Sequence, residues 1–228
     1  VSCAGGNRSY VTLPLTYKSI DEDKEVLLLE VKGLLGGHSG MDIVKQRANS
    51  NVTMGRVLNL LDVEFDLVEV NGGSKNNAIP RECEAKVVVN KNQVDDFKAS
   101  LLKIEEILKH EFRTTDADLR LEISQTSAEK ALSDDCKAKA ILLLNLIPNG
   151  IQTQSMEIEN LVESSTNLGV VRTVGDEMSF ESAVRSSVAT LRENINNKTK
   201  LLAEAIGANF ESTNGYPAWE YAKDSKLE

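Results

Sequence analysis

The sequence NQVDDFKASLLKIEEILKHEF, residues 92–112, carries the clearest structural pattern in the chain. Its apolar residues recur at steps of three and four, namely Val94, Phe97, Leu101, Ile104 and Leu108. Lys, Glu and Asp fill much of the opposite side. Because an α-helix repeats every 3.6 residues, this spacing places the apolar side chains on one stripe. We therefore predict an amphipathic helix over residues 92–112 that packs on an apolar layer.

Segments typical of strands lie on both sides of this helix. Cys83–Val89 precedes it and Leu119–Ile123 follows it, and both alternate between apolar and polar residues. Further upstream, Val26–Val31 has the length of a buried strand. A helical pattern then begins at Asp42 and continues to about Leu61, and Phe65–Val70 suggests another strand. The resulting β-α-β-β-α-β order predicts an α+β fold, an antiparallel sheet with helices packed on one face.

The second part of the chain repeats the order of predicted helices and strands of the first part, with weaker patterns. Two helical patterns are found at 134–146 and 188–206, and strand-like segments at 163–174, 178–187 and 208–212. An opening strand for this set could come from Tyr10–Leu15. We therefore predict two β-α-β-β-α-β-like halves that form one continuous antiparallel sheet. Whether they arose by internal duplication is left open, because the sequence identity between them is thin.

The division of the chain follows from these halves. We place the first half at residues 25–130 and the second at residues 131–214. Residues 1–24 and 215–228 flank them; 20–24 and 215–228 are polar and punctuated, and the chain begins and ends on material that does not close a domain of its own.

Charge and composition exclude several classes of function. The 228 residues include 26 Lys and Arg against 35 Asp and Glu, a net charge of −9. A nucleic-acid partner is excluded, because such binding needs a basic surface. A membrane partner is excluded too, because no apolar run approaches the roughly 20 residues of a membrane span.

The cysteines and the start of the chain predict a cytoplasmic protein. Cys3, Cys83 and Cys136 are far apart and odd in number, so a disulfide framework is not expected. Residues 1–6 have neither the basic nor the apolar region of a signal peptide. Both observations fit a reducing compartment.

Two histidines limit the chemistry that the chain can perform. His38 lies in Gly36-Gly37-His38-Ser39-Gly40, between a predicted strand and a predicted helix. An imidazole there could donate a hydrogen bond to a carboxylate or a developing oxyanion, or it could be a solvated turn residue. Residue types alone leave both interpretations open. His110 falls in the last turn of the amphipathic helix, where a surface position is the simpler interpretation.

Asn77 and Arg185 are further candidates for binding residues. Asn77 lies between two predicted strands and offers both a donor and an acceptor, although it could equally be a turn residue shaped by Pro80. Arg185 lies in a predicted strand and could bind a carboxylate with two hydrogen bonds, or pair with a neighbouring acid on the surface. The acidic pairs lie on predicted helices and are interpreted as solvated; they are Asp95-Asp96, Glu105-Glu106 and Asp134-Asp135.

The motifs around these residues resemble those of a known family. The first is VKGLLGGHSGMDI at residues 31–43, followed by RANSN at 47–51. The others are GGS (72–74), NAIPRE (77–82), PNG (148–150), VESSTNLGVV (162–171), VRSS (184–187) and GYPAW (215–219). In this order they are similar to the lid domain, of the dimerisation type, of bacterial aminoacyl-histidine (Xaa-His) dipeptidases. These enzymes are di-zinc metallopeptidases of the aminoacylase/carnosinase superfamily.

The resemblance implies a role for each candidate. The family's lid histidine corresponds to His38, which would reach over the substrate and stabilise the tetrahedral oxyanion, a catalytic role. The asparagine of the Asn-Ala-Ile-Pro motif corresponds to Asn77 and would bind the substrate. The arginine of the Arg-Ser motif corresponds to Arg185 and would hold the free carboxylate of a dipeptide.

The resemblance also implies that this chain is only part of an enzyme. Family members bind two zinc ions on a separate catalytic domain, and the His-x-Asp motif of that domain is absent here. We therefore expect no zinc ligand and no activity in this segment. The resemblance assigns residues 1–24 to the end of one catalytic-domain segment with an entry strand and linker, and residues 215–228 to a return linker toward the next. Its expected partners are a dipeptide, the catalytic domain of the same chain and a second copy in a homodimer. The alternative is a non-catalytic module that binds a small ligand or forms homodimers.

Overall fold

The computed structural model describes residues 4–218, which form thirteen strands and four α-helices. The helices are α1 (Ser50–Leu60), α2 (Val94–Glu111), α3 (Asp134–Leu146) and α4 (Ala189–Ala205). The longer strands are β1 (Gly5–Pro14), β3 (Lys24–Lys32), β5 (Asp66–Gly72), β7 (Cys83–Asn90), β8 (Arg120–Gln125), β11 (Val162–Val174), β12 (Glu177–Ser186) and β13 (Asn209–Tyr216). The shorter ones are β2 (Tyr17–Ser19), β4 (Gly37–His38), β6 (Ala78–Ile79), β9 (Lys130–Leu132) and β10 (Gly150–Gln154). Cys3, Trp219 and the last residues of the segment 215–228 lie outside the described residues.

The longer strands form one antiparallel sheet in the order β13-β1-β12-β11-β5-β7-β3-β8. The short strand β10 pairs with β11, while β2 pairs with β9 and β4 with β6 in separate two-stranded ladders. This arrangement confirms the predicted α+β fold with an antiparallel sheet.

The two halves of the sheet have the same strand order. Taken from the centre outward, the first half runs β5-β7-β3-β8 and the second runs β11-β12-β1-β13. In each half the innermost strand follows the first helix, and the outermost strand follows the second helix. The opening strand of the second half is β1, which includes most of the segment predicted for that place. The boundaries proposed for the two halves stay a prediction.

The helices pack on one face of the sheet and enclose a single main core. In β3, residues Leu27, Leu29 and Val31 are at most 2% exposed, while the residues between them are half-buried. Four of the five residues of the apolar stripe of α2 are also buried, as their spacing predicts, and Val94 is half-buried against the same core. Both sets belong to the same cluster as Leu13 and Phe180 of the second half. We call the opposite, helix-free side of the sheet the open face; Glu30, Glu84 and Arg172 lie on it.

The first helix begins later than its sequence predicts. Instead of one helix from Asp42, a 3-10 turn at Ile43–Lys45 is followed by α1 from Ser50. The turn ends because Gln46 adopts a left-handed conformation, with φ of 50°. Asn49 then caps α1, since its side chain accepts hydrogen bonds from Asn51 N and Val52 N at 3.0 and 3.2 Å.

Two further features concern the helices and the cysteines. None of the helices within residues 4–218 is long and apolar enough to cross a membrane. Cys83 and Cys136 are buried free thiols. Burial also raises the pKa of the Cys83 thiol well above its usual range.

Helix packing across the two halves depends on Gly55 in α1. A Cβ atom at this position would lie 2.6 Å from Leu144 Cβ and 3.0 Å from Leu144 C in α3. We expect Gly55→Ala to lower the free energy of unfolding by about 1–2 kcal/mol, because overpacking outweighs the gain in helix propensity. Urea denaturation measures this change.

The control for this substitution is Asn59→Ala, an exposed position on the same helix. It should change the free energy of unfolding by less than about 0.5 kcal/mol. If Gly55→Ala proved as stable as Asn59→Ala, the close contact between α1 and α3 would be wrong.

Candidate functional site

His38 lies in a glycine-rich loop that crosses from β3 toward α1. Gly36 and Gly37 adopt φ angles of 63° and 146°, conformations that favour glycine. The loop then forms the two-residue strand β4, in which His38 pairs with Ala78 of β6. This pairing fixes the backbone of His38 against the loop that carries Asn77.

A buried carboxylate anchors both ends of this loop. Asp116 is 0% exposed and accepts hydrogen bonds from Leu35 N at 2.9 Å and Ala48 N at 2.8 Å. Asp42 adds a third anchor, because its carboxylate accepts from His38 N at 2.8 Å and pairs with Lys45 at 2.7 Å. The hydrogen bonds from Lys45 and from His38 N hold the pKa of Asp42 below its usual value.

The imidazole of His38 is exposed and has a defined tautomer. Its Nδ1 atom accepts hydrogen bonds from Gly40 N at 3.1 Å and Met41 N at 3.2 Å. Backbone N–H groups can only donate, so the proton of the neutral ring must lie on Nε2. His38 therefore presents an N–H donor from its outer edge.

Asn77 lies beside His38, on the loop between β5 and β6. Its carbonyl oxygen accepts from Ser39 N at 2.9 Å. The side chain is exposed and makes no hydrogen bond within the described part of the chain. Its amide therefore remains able to bind a ligand.

Arg185 comes from the second half of the sheet. Its neighbours in β12, Val184 and Ser186, are at most 1% exposed and face the core, so Arg185 projects from the open face. Its Nη1 donates to the Tyr216 hydroxyl at 3.0 Å. Its Nε is buried without a hydrogen-bond partner, and no acid within residues 4–218 pairs with it.

The structure brings His38 and Arg185 together at Gly40, and the Asn77 backbone contacts the neighbouring residue Ser39. A Cβ atom on Gly40 would lie 3.3 Å from both Arg185 Nε and His38 Nδ1. The first half contributes His38 and Asn77, and the second half contributes Arg185. Within residues 4–218 no carboxylate pairs with this cluster of side-chain donors, which suits an anionic or carbonyl ligand.

Asparagines to which the sequence patterns assign no role lie beside this cluster, namely Asn49, Asn149 and Asn167. Asn49 donates to Asn149 Oδ1 and Asn167 Oδ1, both at 3.2 Å, and to Leu168 O at 3.0 Å. Asn149 also accepts from Leu168 N at 2.9 Å. The position of Asn167 inside a strand was an available signal, because asparagine is depleted in strands.

Tyr216 was also missed as a partner of Arg185. It lies over Gly6, where a Cβ atom would come within 2.6 Å of its hydroxyl oxygen. A glycine in the interior of β1 was the signal, since such a glycine often marks the close approach of another group.

The remaining candidates stay at the surface except Glu105, which is half-buried, pairs with Lys109 and accepts a hydrogen bond from Leu121 N at 2.7 Å, so its interpretation as a solvated residue is wrong. His110 is exposed in the last turn of α2, as its sequence position suggests. Asp95-Asp96 and Asp134-Asp135 occupy the first turns of α2 and α3. Within residues 4–218, no three His, Cys, Asp or Glu side chains form a group that could hold a metal ion.

The anchoring role of Asp116 can be tested by stability. We expect Asp116→Ala to lower the free energy of unfolding by about 2–3 kcal/mol, because two backbone donors lose their acceptor. The exposed residue Asp118 provides a matched control, and Asp118→Ala should change stability by less than about 0.5 kcal/mol. Equal urea midpoints for the two variants would show that Asp116 does not anchor the loop.

The sequence and fold of this chain are similar to those of known peptidases. Residues 29–116 match the model of the M20 peptidase dimerisation domain. Over 223 residues, 96% of this chain, the sequence is 31% identical to the cytosol non-specific dipeptidase of Escherichia coli (strain K12), of which it covers 46%. The crystal structure of aminoacylhistidine dipeptidase from Vibrio alginolyticus matches 99% of this chain with a TM-score of 0.95 and 31% identity.

The matches cover nearly all of this chain but only part of each relative. The chain covers 47% of the Vibrio alginolyticus structure, so it spans about half the length of the relatives that it matches. The resemblance inferred from the motifs is confirmed. Residues 29–116 thus match a peptidase dimerisation domain, and over nearly all of its length the chain shares the fold of about half of an aminoacylhistidine dipeptidase.

Proposed function

We propose that this chain is the lid region of a zinc-dependent dipeptidase of the Xaa-His type. In this proposal it closes over the active site, binds the substrate carboxylate and stabilises the oxyanion during hydrolysis. The observation that carries the proposal is the convergence of His38, Asn77 and Arg185, which present donors that no acid within residues 4–218 neutralises.

Arg185 would bind the free carboxylate of the dipeptide. Among the described residues, its Nε has no hydrogen-bond partner and its Nη1 contacts only a neutral hydroxyl, so no acid within residues 4–218 neutralises the guanidinium charge. Arginine binds carboxylates in a two-pronged geometry, which fixes orientation as well as charge. The partly buried position strengthens this attraction, because less water competes for it.

His38 would donate from Nε2–H to the oxygen that becomes negative during hydrolysis. The two backbone bonds to Nδ1 hold the ring in place before the substrate arrives. Such preorganised donors stabilise charge that develops in a transition state, because they need no reorientation during the reaction. Asn77, beside it, would bind the backbone or carboxylate of the substrate.

The catalytic domain and its zinc ions would belong to sequence outside this chain. The described residues bring together no set of side chains that fits a zinc site. When bound to protein, such ions activate water for hydrolysis. The residues of this chain would contribute binding and charge stabilisation instead.

A homodimer and a cytoplasmic location complete the proposal. The region that matches a dimerisation domain includes α2, on which Leu102 and Ile107 are 64% and 47% exposed. The following strand, β8, lies at one edge of the sheet, and exposed edges favour pairing with another chain. The cytosolic name of the Escherichia coli relative supports the location.

Substitution of His38 in the longer enzyme tests the oxyanion role. We expect His38→Ala to lower kcat by about 100- to 1000-fold, the usual cost of losing one oxyanion donor. Bound zinc, measured by elemental analysis, should stay at the wild-type level. His110→Ala, which removes an exposed imidazole from α2, should leave both quantities unchanged.

Two results would contradict this role. Loss of zinc from His38→Ala would make His38 a metal ligand instead. Wild-type turnover of the same variant would remove His38 from the reaction altogether.

Substitution of Arg185 tests recognition of the carboxylate. We expect Arg185→Met to lower kcat/KM for a dipeptide by about 10- to 100-fold, the value of a hydrogen bond to a charged group. The same enzyme assayed with a C-terminally amidated dipeptide should show a much smaller effect, because that substrate has no carboxylate to lose.

The matched control is Arg8→Met, at an exposed arginine of the neighbouring strand β1. It should behave as wild type with both substrates. Equal losses for the free and amidated dipeptides in Arg185→Met would refute carboxylate binding by Arg185.

A further inference from the structure

We propose that Asn167 is a positioning residue that holds Asn77, and through it His38, in place for substrate. The inference rests on the proposed function. Asn167 lies in β11, in the second half of the sheet, and is 1% exposed. Its side-chain Nδ2 donates to Asn76 O at 2.9 Å and to Ala78 O at 2.8 Å. These two carbonyls belong to the residues on either side of Asn77.

The orientation of the Asn167 amide is fixed by its partners. Both backbone carbonyls can only accept, so the nitrogen of Asn167 must face them and both of its hydrogens are used. Its Oδ1 accepts from Asn49 Nδ2 at 3.2 Å. The amide of Asn49 is itself oriented, because its oxygen caps α1. We call the two hydrogen bonds from Asn167 to Asn76 O and Ala78 O the clamp. Through Asn49 the clamp is joined to the start of α1.

Close backbone contact reinforces this clamp. A Cβ atom at Gly169 would lie 2.5 Å from Asn76 Cα, so the loop lies directly on β11. Arg172 donates to Gly73 O, and Asn76 Nδ2 donates to Glu181 Oε1. These contacts hold residues that precede Asn77, whereas Asn167 contacts residues on both sides of it.

The clamp also reaches His38. The carbonyl of Asn77 accepts from Ser39 N at 2.9 Å, and His38 pairs with Ala78. Displacement of the Asn77 loop would therefore move the histidine loop as well. A displacement of about 1 Å is enough to cost on the order of 100-fold in rate.

Asn167→Asp in the longer enzyme tests this inference. The substitution keeps the size of the side chain but replaces two donors by a carboxylate that faces two carbonyl oxygens. We expect kcat/KM for a dipeptide to fall by about 10- to 100-fold with zinc content unchanged.

Asn145→Asp provides a matched control. Asn145 Nδ2 also donates to two backbone carbonyls, Gly55 O at 2.9 Å and Ile141 O at 2.8 Å, but it does so in α3, among residues that hold none of the three site residues. Its kcat/KM should change by less than about 3-fold. Equal losses in Asn167→Asp and Asn145→Asp would overturn the inference, because the loss would then reflect stability alone.

A double-mutant cycle with Asn77→Ala separates positioning from general destabilisation. If Asn167 positions the Asn77 side chain, adding Asn167→Asp to Asn77→Ala should cost less activity than it costs the wild type, and the loss that remains reflects displacement of His38. Fully additive losses would overturn the inference.

Hydrogen exchange followed by mass spectrometry supplies a readout that does not depend on catalysis. Peptides covering residues 36–41 and 74–80 should exchange faster in Asn167→Asp and at the wild-type rate in Asn145→Asp. If Asn77→Ala keeps full activity, the proposed binding role of Asn77 fails, and the exchange rates still decide whether Asn167 holds the loop. Unchanged exchange in both variants would overturn the clamp.

A second variant covers the case in which Asn167→Asp does not fold. Asn167→Ser is smaller and uncharged, and it retains a single donor. Its loss of activity and its gain in exchange should be intermediate. Wild-type behaviour in both measurements would overturn the inference.

Discussion

The antiparallel junction between β5 and β11 determines where every proposed site residue lies. Direct strand pairing is short there, with Val171 opposite Gly72 as the one register pair between them in the described sheet. Side chains provide further hydrogen bonds. Thr173 Oγ1 bonds to both Val70 N and Val70 O at 3.0 Å, and Asn51 donates to Leu168 O at 3.1 Å. The two halves are thereby fixed relative to each other.

This constraint explains how one site can draw on two similar halves. His38 and Asn77 belong to the first half, and Arg185 belongs to the second. A loop of the first half crosses the junction and rests on β11, where Asn167 and Gly169 receive it. If the junction shifted by one residue, side chains of β11 would exchange faces and the three donors would separate.

The sequence predicted the elements whose signals are local. The stripe of α2 needs only the helical period, and α3 spans the residues predicted for it, 134–146. The start of α1 was predicted wrongly because Asp42 bonds to His38 N and Lys45 rather than to a helix terminus. Local polarity cannot show which of these competing partners a carboxylate takes.

The site itself was predictable only in part. Its three residues could be named from motifs that resemble a known family, but nothing in the sequence shows that they converge. The contacts of Asn167 join residues 91 and 89 positions apart, and its bond from Asn49 spans 118 positions. Such contacts depend on the strand order, which periodicity does not specify.

The central claim is that donors from both halves bind one dipeptide. The most direct test is a crystal structure of the longer enzyme with a phosphinic dipeptide analogue, which imitates the tetrahedral intermediate. The account predicts His38 Nε2 within about 3 Å of a phosphinyl oxygen and Arg185 at the same distance from the terminal carboxylate. An analogue bound without contact to either residue would contradict it.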